Sequence, residues 1–213
     1  MQIIVDVEIS DTARAEFSTL GLCLHYLSDI TQVFVARKEW DNFHPDTTLL
    51  VFVGNGGSKV KNLLPRAWTS RWLWKADAFA KRFWEPGMHP YAIAHRFARG
   101  VYVGISDVVL IDDVVSSGVT ARRVQAVNVP WVPNAHWHLA TLIAQRSASL
   151  RGYRSSFSVI DVGTMQHKVP INSLSALIAD SCMAKVYAER NLSEKAQVFL
   201  RLLESVECHL DQP

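Results

Sequence analysis

Ile3, Val5, Val7 and Ile9 alternate with Asp6 and Glu8 between them, a period of two that predicts a half-buried strand over residues 3–9. A short helix is expected over 11–20. Strand-like runs at 22–27 and 33–36 flank Ser28-Asp29, a pair suited to a turn. The first 45 or so residues therefore read as a small mixed sheet, open to antiparallel pairing, and residues 41–46 read as a loop. From Thr48 the pattern changes. Leu49-Leu50-Val51-Phe52-Val53 is apolar without alternation, as expected for a strand covered on both faces, and it runs into Gly54-Asn55-Gly56-Gly57. Further strands are expected at 91–97, 108–111, 139–144 and 157–162. A helix should follow Gly118, with Ala121, Val124 and Val127 inward. Strands alternating with helices predict an α/β fold, a mainly parallel sheet flanked by helices. The last 45 residues read as helical. Asn172 or Ser173 caps a helix to about Arg190, and Ser193 caps another carrying Ala196, Phe199, Leu200 and Leu203.

Composition narrows the class. In 213 residues, 49% are hydrophobic and 20% charged, which suits one globular domain of ordinary kind. A net charge of +2 is too small to call for a polyanionic partner. Cys23, Cys182 and Cys208 are far apart, without metal-ligand spacing, and read as thiols in a reducing compartment. The N-terminal segment lacks the basic start and apolar run of a signal peptide, and no apolar stretch is long enough to span a bilayer. A cytoplasmic protein with no membrane partner is the expectation.

The chemistry concentrates in residues 108–120, VVLIDDVVSSGVT. In an open parallel sheet, ligands bind at the carboxyl ends of strands, where helix N-termini point at them. Here a buried strand ends in Asp112-Asp113. The segment Val115-Ser116-Ser117-Gly118-Val119-Thr120 can then direct backbone N–H groups and three hydroxyls at a phosphate. Gly118 eases close approach, and the following helix offers its positive end. The acid pair can accept hydrogen bonds from sugar hydroxyls and stand near a metal-bound phosphate.

This pattern of apolar strand, two acids, two further residues and Ser-Ser-Gly-x-Thr resembles the PRPP-binding motif of the type I phosphoribosyltransferases. The resemblance covers roughly residues 48–162. It implies that Asp112 and Asp113 hold the ribose hydroxyls as the catalytic pair and meet Mg²⁺ indirectly, through ribose or water, and that residues 115–120 hold the 5-phosphate. It also implies that Asn55, Gly56 and Gly57 belong to an earlier loop contacting pyrophosphate. Residues 48–165 would be the PRPP-binding core of a single domain. Residues 1–47 and 166–213 would supply a hood that selects the acceptor. Tyr153, Phe157 and Asp161 lie where a base could be read, with a core role for Phe157 equally open. The implied activity is transfer of phosphoribosyl from PRPP to a nitrogen acceptor such as a nucleobase, releasing pyrophosphate. Two alternatives stay open: a non-catalytic sensor of PRPP or nucleotides, and an enzyme that cleaves N-glycosides. A homodimer is compatible with all three.

Trp68, Trp72, Trp74 and Trp84 interleave with Arg66, Arg71, Lys75, Lys81 and Arg82. The first reading is a helix whose aromatic side, with Trp68, Trp72 and Phe79, packs on the sheet. The second is a flap closing over the reacting centre. The third is a platform stacking nucleobases, a partner class the charge does not otherwise favour. His89, His95 and Arg96 could face the pocket, but a lone histidine is more often structural, and no catalytic role is assigned to them.

Overall fold

The computed structural model describes residues 2–83, 91–96, 102, 104–115, 118–145, 152–162 and 172–210. In chain order the elements are β1 (Gln2–Val5), α1 (Asp11–Thr19), β2 (Cys23–Tyr26), α2 (Leu27–Val35), β3 (Thr48–Val53), α3 (Gly54–Leu63) and α4 (Arg66–Thr69). There follow β4 (Trp74–Ala78), β5 (Ala80–Phe83), β6 (Tyr91–Ala94), β7 (Asp107–Val115), α5 (Val119–Asn128), β8 (His136–Gln145) and β9 (Ser155–Val162). The chain closes with β10 (Asn172–Ser173), α6 (Leu174–Ala179), α7 (Ser181–Leu192) and α8 (Ala196–Leu210). Two compact units emerge. One joins residues 1–29 to 165–213, and the other is the continuous stretch 30–164.

The continuous unit is built on a five-stranded sheet in the order β4-β3-β7-β8-β9, every neighbouring pair parallel. All six residues of β3 are buried, as are Val108 to Ile111 of β7, so the central strands are covered on both faces. One face packs Leu49, Val51, Val108, Leu110 and Leu139 with Ala121 and Val124 of α5. At the far end of α5 Asn128, rather than Val127, is fully buried; its amide donates to the carbonyls of Val124 and His95. A separate antiparallel ribbon pairs β5 with β6. The strand expected at 91–97 is thus confined to 91–94 and lies outside the main sheet.

An aromatic cluster in the same unit gathers around Trp40. Its ring meets Trp68 at 5.0 Å, Trp72 at 5.7 Å, Phe34 at 5.2 Å and Phe157 at 5.0 Å, and its indole N–H donates to the Phe34 carbonyl. The tryptophan-rich stretch therefore does pack Trp68 and Trp72 inward, but from a one-turn helix and the turn after it. Phe79 is 58% exposed, and Trp74 sits on edge strand β4 with its N–H on the Asp46 carbonyl. Lys75 donates to the Trp72 and Thr69 carbonyls, and Lys61 pairs with Asp77. Trp84 and His89 lie outside the described residues.

The other unit differs more from expectation. Its sheet is β10-β1-β2, parallel throughout. The first strand stops at Val5 because the Asp6 carboxylate accepts the N–H and hydroxyl of Ser175, capping α6. Residues 33–36, which belong to the continuous unit, are not a strand. Leu27, Ile30, Thr31 and Phe34 are buried at i, i+3, i+4 and i+7, the helical period of α2, and Ser28-Asp29 is its first turn. The single helix expected to reach Arg190 is broken at Asp180 into α6 and α7. Phe17, Tyr187, Phe199 and Leu203 form its core with Ile3 and Leu174. Among the described residues no helix is long and apolar enough to cross a membrane.

Trp40→Ala should cost about 3–5 kcal/mol, the usual loss for truncating a buried aromatic. That corresponds to a fall in Tm on the order of 10 °C for a chain of this size. Thermal denaturation followed by circular dichroism checks it; a loss below about 1 kcal/mol would show that the cluster repacks.

Candidate functional site at the carboxyl end of the central strands

Strand β7 does not end at the acids but runs two residues past them, pairing with β8 from Asp107↔His136 to Val115↔Ala144. Asp112 and Asp113 are thus held on a strand, half-buried. The carboxylates turn along their own backbone: Asp112 Oδ1 accepts the Asp113 N–H at 3.0 Å, and Asp113 Oδ1 accepts the Val114 N–H at 2.7 Å. The Thr141 hydroxyl, one strand over, lies between the Ile143 carbonyl at 3.0 Å and the Asp113 carbonyl at 3.2 Å. None of these contacts leaves the strands, so the acids are fixed in place before any ligand arrives.

The glycine segment after β3 is the first turn of α3 and not a loop. Gly54 opens it at φ +57°, where an added Cβ would stand 3.0 Å from the Ala80 carbonyl. Gly56 faces the acids, and Gly57 carries the main backbone constraint. A Cβ at Gly56 would lie 2.1 Å from Asp113 Oδ1 and 2.6 Å from Asp112 Oδ1. At Gly57 it would meet the Ile111 carbonyl at 2.6 Å and the Phe52 backbone at 2.7 Å. The N-terminus of α3 therefore rests directly on the end of β7, an approach open only to residues without side chains. Val53 caps α3 without a side-chain bond and Asn55 is exposed, so the first-turn amides keep no side-chain acceptor from the cap.

On the other side of the acids, Gly118 takes the left-handed conformation at φ 69° and caps α5, which begins at Val119 and carries Thr120 in its first turn. Gly118 brings no side chain, and the Arg122 N–H already closes onto the Gly118 carbonyl, which leaves the amides of the first turn. Val115 is 3% exposed and belongs to the core, so it offers a ligand only backbone. Ser116 and Ser117 lie outside the described residues. The geometry joins Asp112, Asp113 and Gly56 directly, with Gly57 against Ile111 just before the acids; Gly118 to Thr120 follow on the same chain segment.

The remaining candidates fall elsewhere. Phe157 is a core residue, stacked on Phe34 and edge-on to Trp40. Tyr153 packs against the core with its hydroxyl buried, which pushes its pKa up. His95 sits edge-on to exposed Phe79, and Arg96 lies over Trp131. Sequence reasoning missed the role of Thr141, whose only signal is a hydroxyl inside an apolar strand. It also missed that Gly56 is a contact to the acids.

Burial holds the Asp112 carboxyl well above its ordinary range, and the neighbouring Asp113 charge adds to the effect. Two carboxylates this close to a helix end, in a poorly solvated position, favour a cation or a hydroxyl donor between them.

The chain was compared with known proteins. No protein-family model and no curated protein matches it. Among solved structures, the AQ2163 protein of Aquifex aeolicus is similar with a TM-score of 0.52 at 12% identity, over 78% of this chain and 90% of that one. The Helicobacter pylori xanthine-guanine-hypoxanthine phosphoribosyltransferase has a TM-score of 0.45 at 16% identity, over 63% of this chain and 85% of that one. A hypothetical protein from Neisseria gonorrhoeae with bound ppGpp has a TM-score of 0.46 at 13% identity, over 96% of this chain and 98% of that one. At 12% identity, the likeness to the Aquifex protein is one of fold.

Because folded Asp112 holds its proton to higher pH than the unfolded chain does, the native state binds more protons above about pH 4, and stability falls as pH rises through the window up to the raised value. One such group removes at most about 1.4 kcal/mol per pH unit. Asp112→Asn should therefore raise Tm at pH 7–8 and flatten the slope, as read by denaturation at several pH values. A variant less stable than the parent at pH 8 would show that the charge is compensated.

Proposed function

We propose that the chain binds PRPP, or a nucleotide carrying the same ribose 5-phosphate, at the carboxyl end of β7 and transfers the phosphoribosyl group to a nitrogen acceptor such as a nucleobase. The observation that carries this reading is the convergence of the acid pair on Gly56 of α3, with the Gly118-capped start of α5 next in sequence. Asp112 and Asp113 are suited to accept hydrogen bonds from the two ribose hydroxyls. The 5-phosphate would be taken by the amides and hydroxyls of residues 115–120, and pyrophosphate by the first-turn amides at Asn55, Gly56 and Gly57. Both phosphate groups would then meet positive helix ends, and the acids would stand under the sugar between them.

The chemistry this serves is displacement at ribose C1. The bond to pyrophosphate breaks, positive charge grows on the ring, and the acceptor nitrogen closes on the same carbon. The protein contributes positioning and charge, with no covalent intermediate required. Carboxylates beneath the sugar favour the developing cation, and helix N-termini favour the departing anion. Mg²⁺ fits an indirect role. An acid pair that burial and mutual repulsion hold above the ordinary carboxylate range favours a cation reached through ribose or water. Bound there, Mg²⁺ supplies neutralisation of pyrophosphate charge.

Calorimetric titration with PRPP and Mg²⁺ tests the donor site. Asp113→Asn combined with Ser117→Ala should abolish binding, and Gly56→Ala alone should weaken it about tenfold or more, since the new methyl group displaces the acids. Unchanged affinity in both variants would remove the assignment. Release of pyrophosphate with a panel of nucleobases then identifies the acceptor; binding without release would make the protein a sensor.

A further inference from the structure

At the opposite end of the same sheet, the amino ends of β7, β8 and β9 bring together three side chains that the phosphate site does not use. Asp107 is the first residue of β7, His138 the third of β8 and Ser155 the first of β9; the register pairs His138 with both Val109 and Ser155. His138 Nδ1 is 2.7 Å from Ser155 Oγ, and His138 Nε2 is 2.9 Å from Asp107 Oδ1. A carboxylate can only accept, so Nε2 carries the ring proton, Nδ1 is left as a bare acceptor, and the Ser155 hydroxyl donates to it. The other Asp107 oxygen accepts the Ser106 hydroxyl at 2.6 Å, which in turn reaches Thr47 Oγ1 at 3.0 Å.

The burial is graded as a nucleophile and its base require. Ser155 is exposed, Asp107 half-buried, and His138 5% exposed with the Phe43 ring edge-on at 4.8 Å to hold the imidazole plane. We propose that Ser155, His138 and Asp107 form a second, independent site in which Ser155 is a nucleophile toward small carboxylic esters, with His138 as general base and Asp107 as the residue that positions it. The arrangement is recognised by its roles and distances rather than by sequence order. Burial lowers the His138 pKa; Asp107 opposes this, and Arg154 and His136, the other charged groups facing the ring, reinforce it. The imidazole is thus neutral and able to take a proton at neutral pH.

In the reaction, Ser155 Oγ attacks the ester carbonyl carbon while its proton passes to Nδ1, and Asp107 holds the imidazolium through Nε2. The C–O bond to the alcohol breaks and the leaving oxygen takes the proton from Nδ1. Water then attacks acyl-Ser155, giving one proton to Nδ1, which returns it to Oγ as the carboxylic acid departs.

The test uses the full chain with a fluorophosphonate probe and p-nitrophenyl acetate. A single adduct at Ser155 by peptide mass spectrometry is expected, absent in a Ser155→Ala variant whose circular dichroism spectrum matches the parent's. Asp107→Asn should slow labelling about a hundredfold, the usual contribution of a general base held in place. In the parent, the rate should rise with pH to a plateau, with an inflection below the ordinary histidine value of about 6.5. Absence of an adduct on Ser155 in folded parent protein would overturn the proposal, as would labelling that Asp107→Asn leaves unchanged and that lacks this inflection.

Discussion

The carboxyl end of the sheet depends on one close approach: the backbone of Gly57 against Ile111 of β7 and Phe52 of β3. It fixes where α3 starts, because a helix beginning one residue earlier or later would drive a side chain into the acids or into the end of β3. It also fixes how far β3 and β7 can slide, since Gly57 leaves no room between Ile111 and Phe52. Strand register, helix position and the spacing of the acids are therefore one constraint seen from three sides. Asp112 meanwhile keeps its proton above the ordinary carboxylate range, because burial and the Asp113 charge both disfavour its charged form. Sites that hold ligands commonly carry such local conflict, because the ligand resolves it.

The two ends of the sheet use the same strands for different ends of chemistry. At the carboxyl end the assembled groups are the backbone of a helix start and carboxylates held on β7 itself. At the amino end they are side chains only, aligned by strand register: Asp107, His138 and Ser155 are separated by 31 and 17 residues in sequence yet hydrogen-bonded in space. A parallel sheet makes both possible, since each strand places its two ends on opposite rims.

How much of this the sequence carries varies with the physical signal. Strands β3, β7 and β8 are legible because burial on both faces leaves an unbroken apolar run. The acid pair and Gly118 are legible because their local chemistry is compact. Helix α2 is not, since Val33 to Ala36 mimics a strand and the deciding period includes Thr31. The glycine segment reads as a loop because glycine disfavours helix; only tertiary packing explains why α3 starts there. Strand β10, two residues long, has no pattern to detect, and the stop at Val5 depends on Asp6 capping a helix 169 residues away. Side chains joined by register rather than by spacing, such as Asp107, His138 and Ser155, leave no mark on the linear chain.

The unit assembled from residues 1–29 and 165–213 has a consequence for the order of events in folding. Its strand β1 is flanked by β2 and β10, so it waits for a partner, Asn172–Ser173, that is made much later. The stretch 30–164, by contrast, is continuous and can close its sheet while later residues are still being added. A chain emerging from the ribosome would therefore hold an unpaired edge on β1 until Asn172 and Ser173 have emerged. The long separation also gives this unit the larger entropic cost of closure.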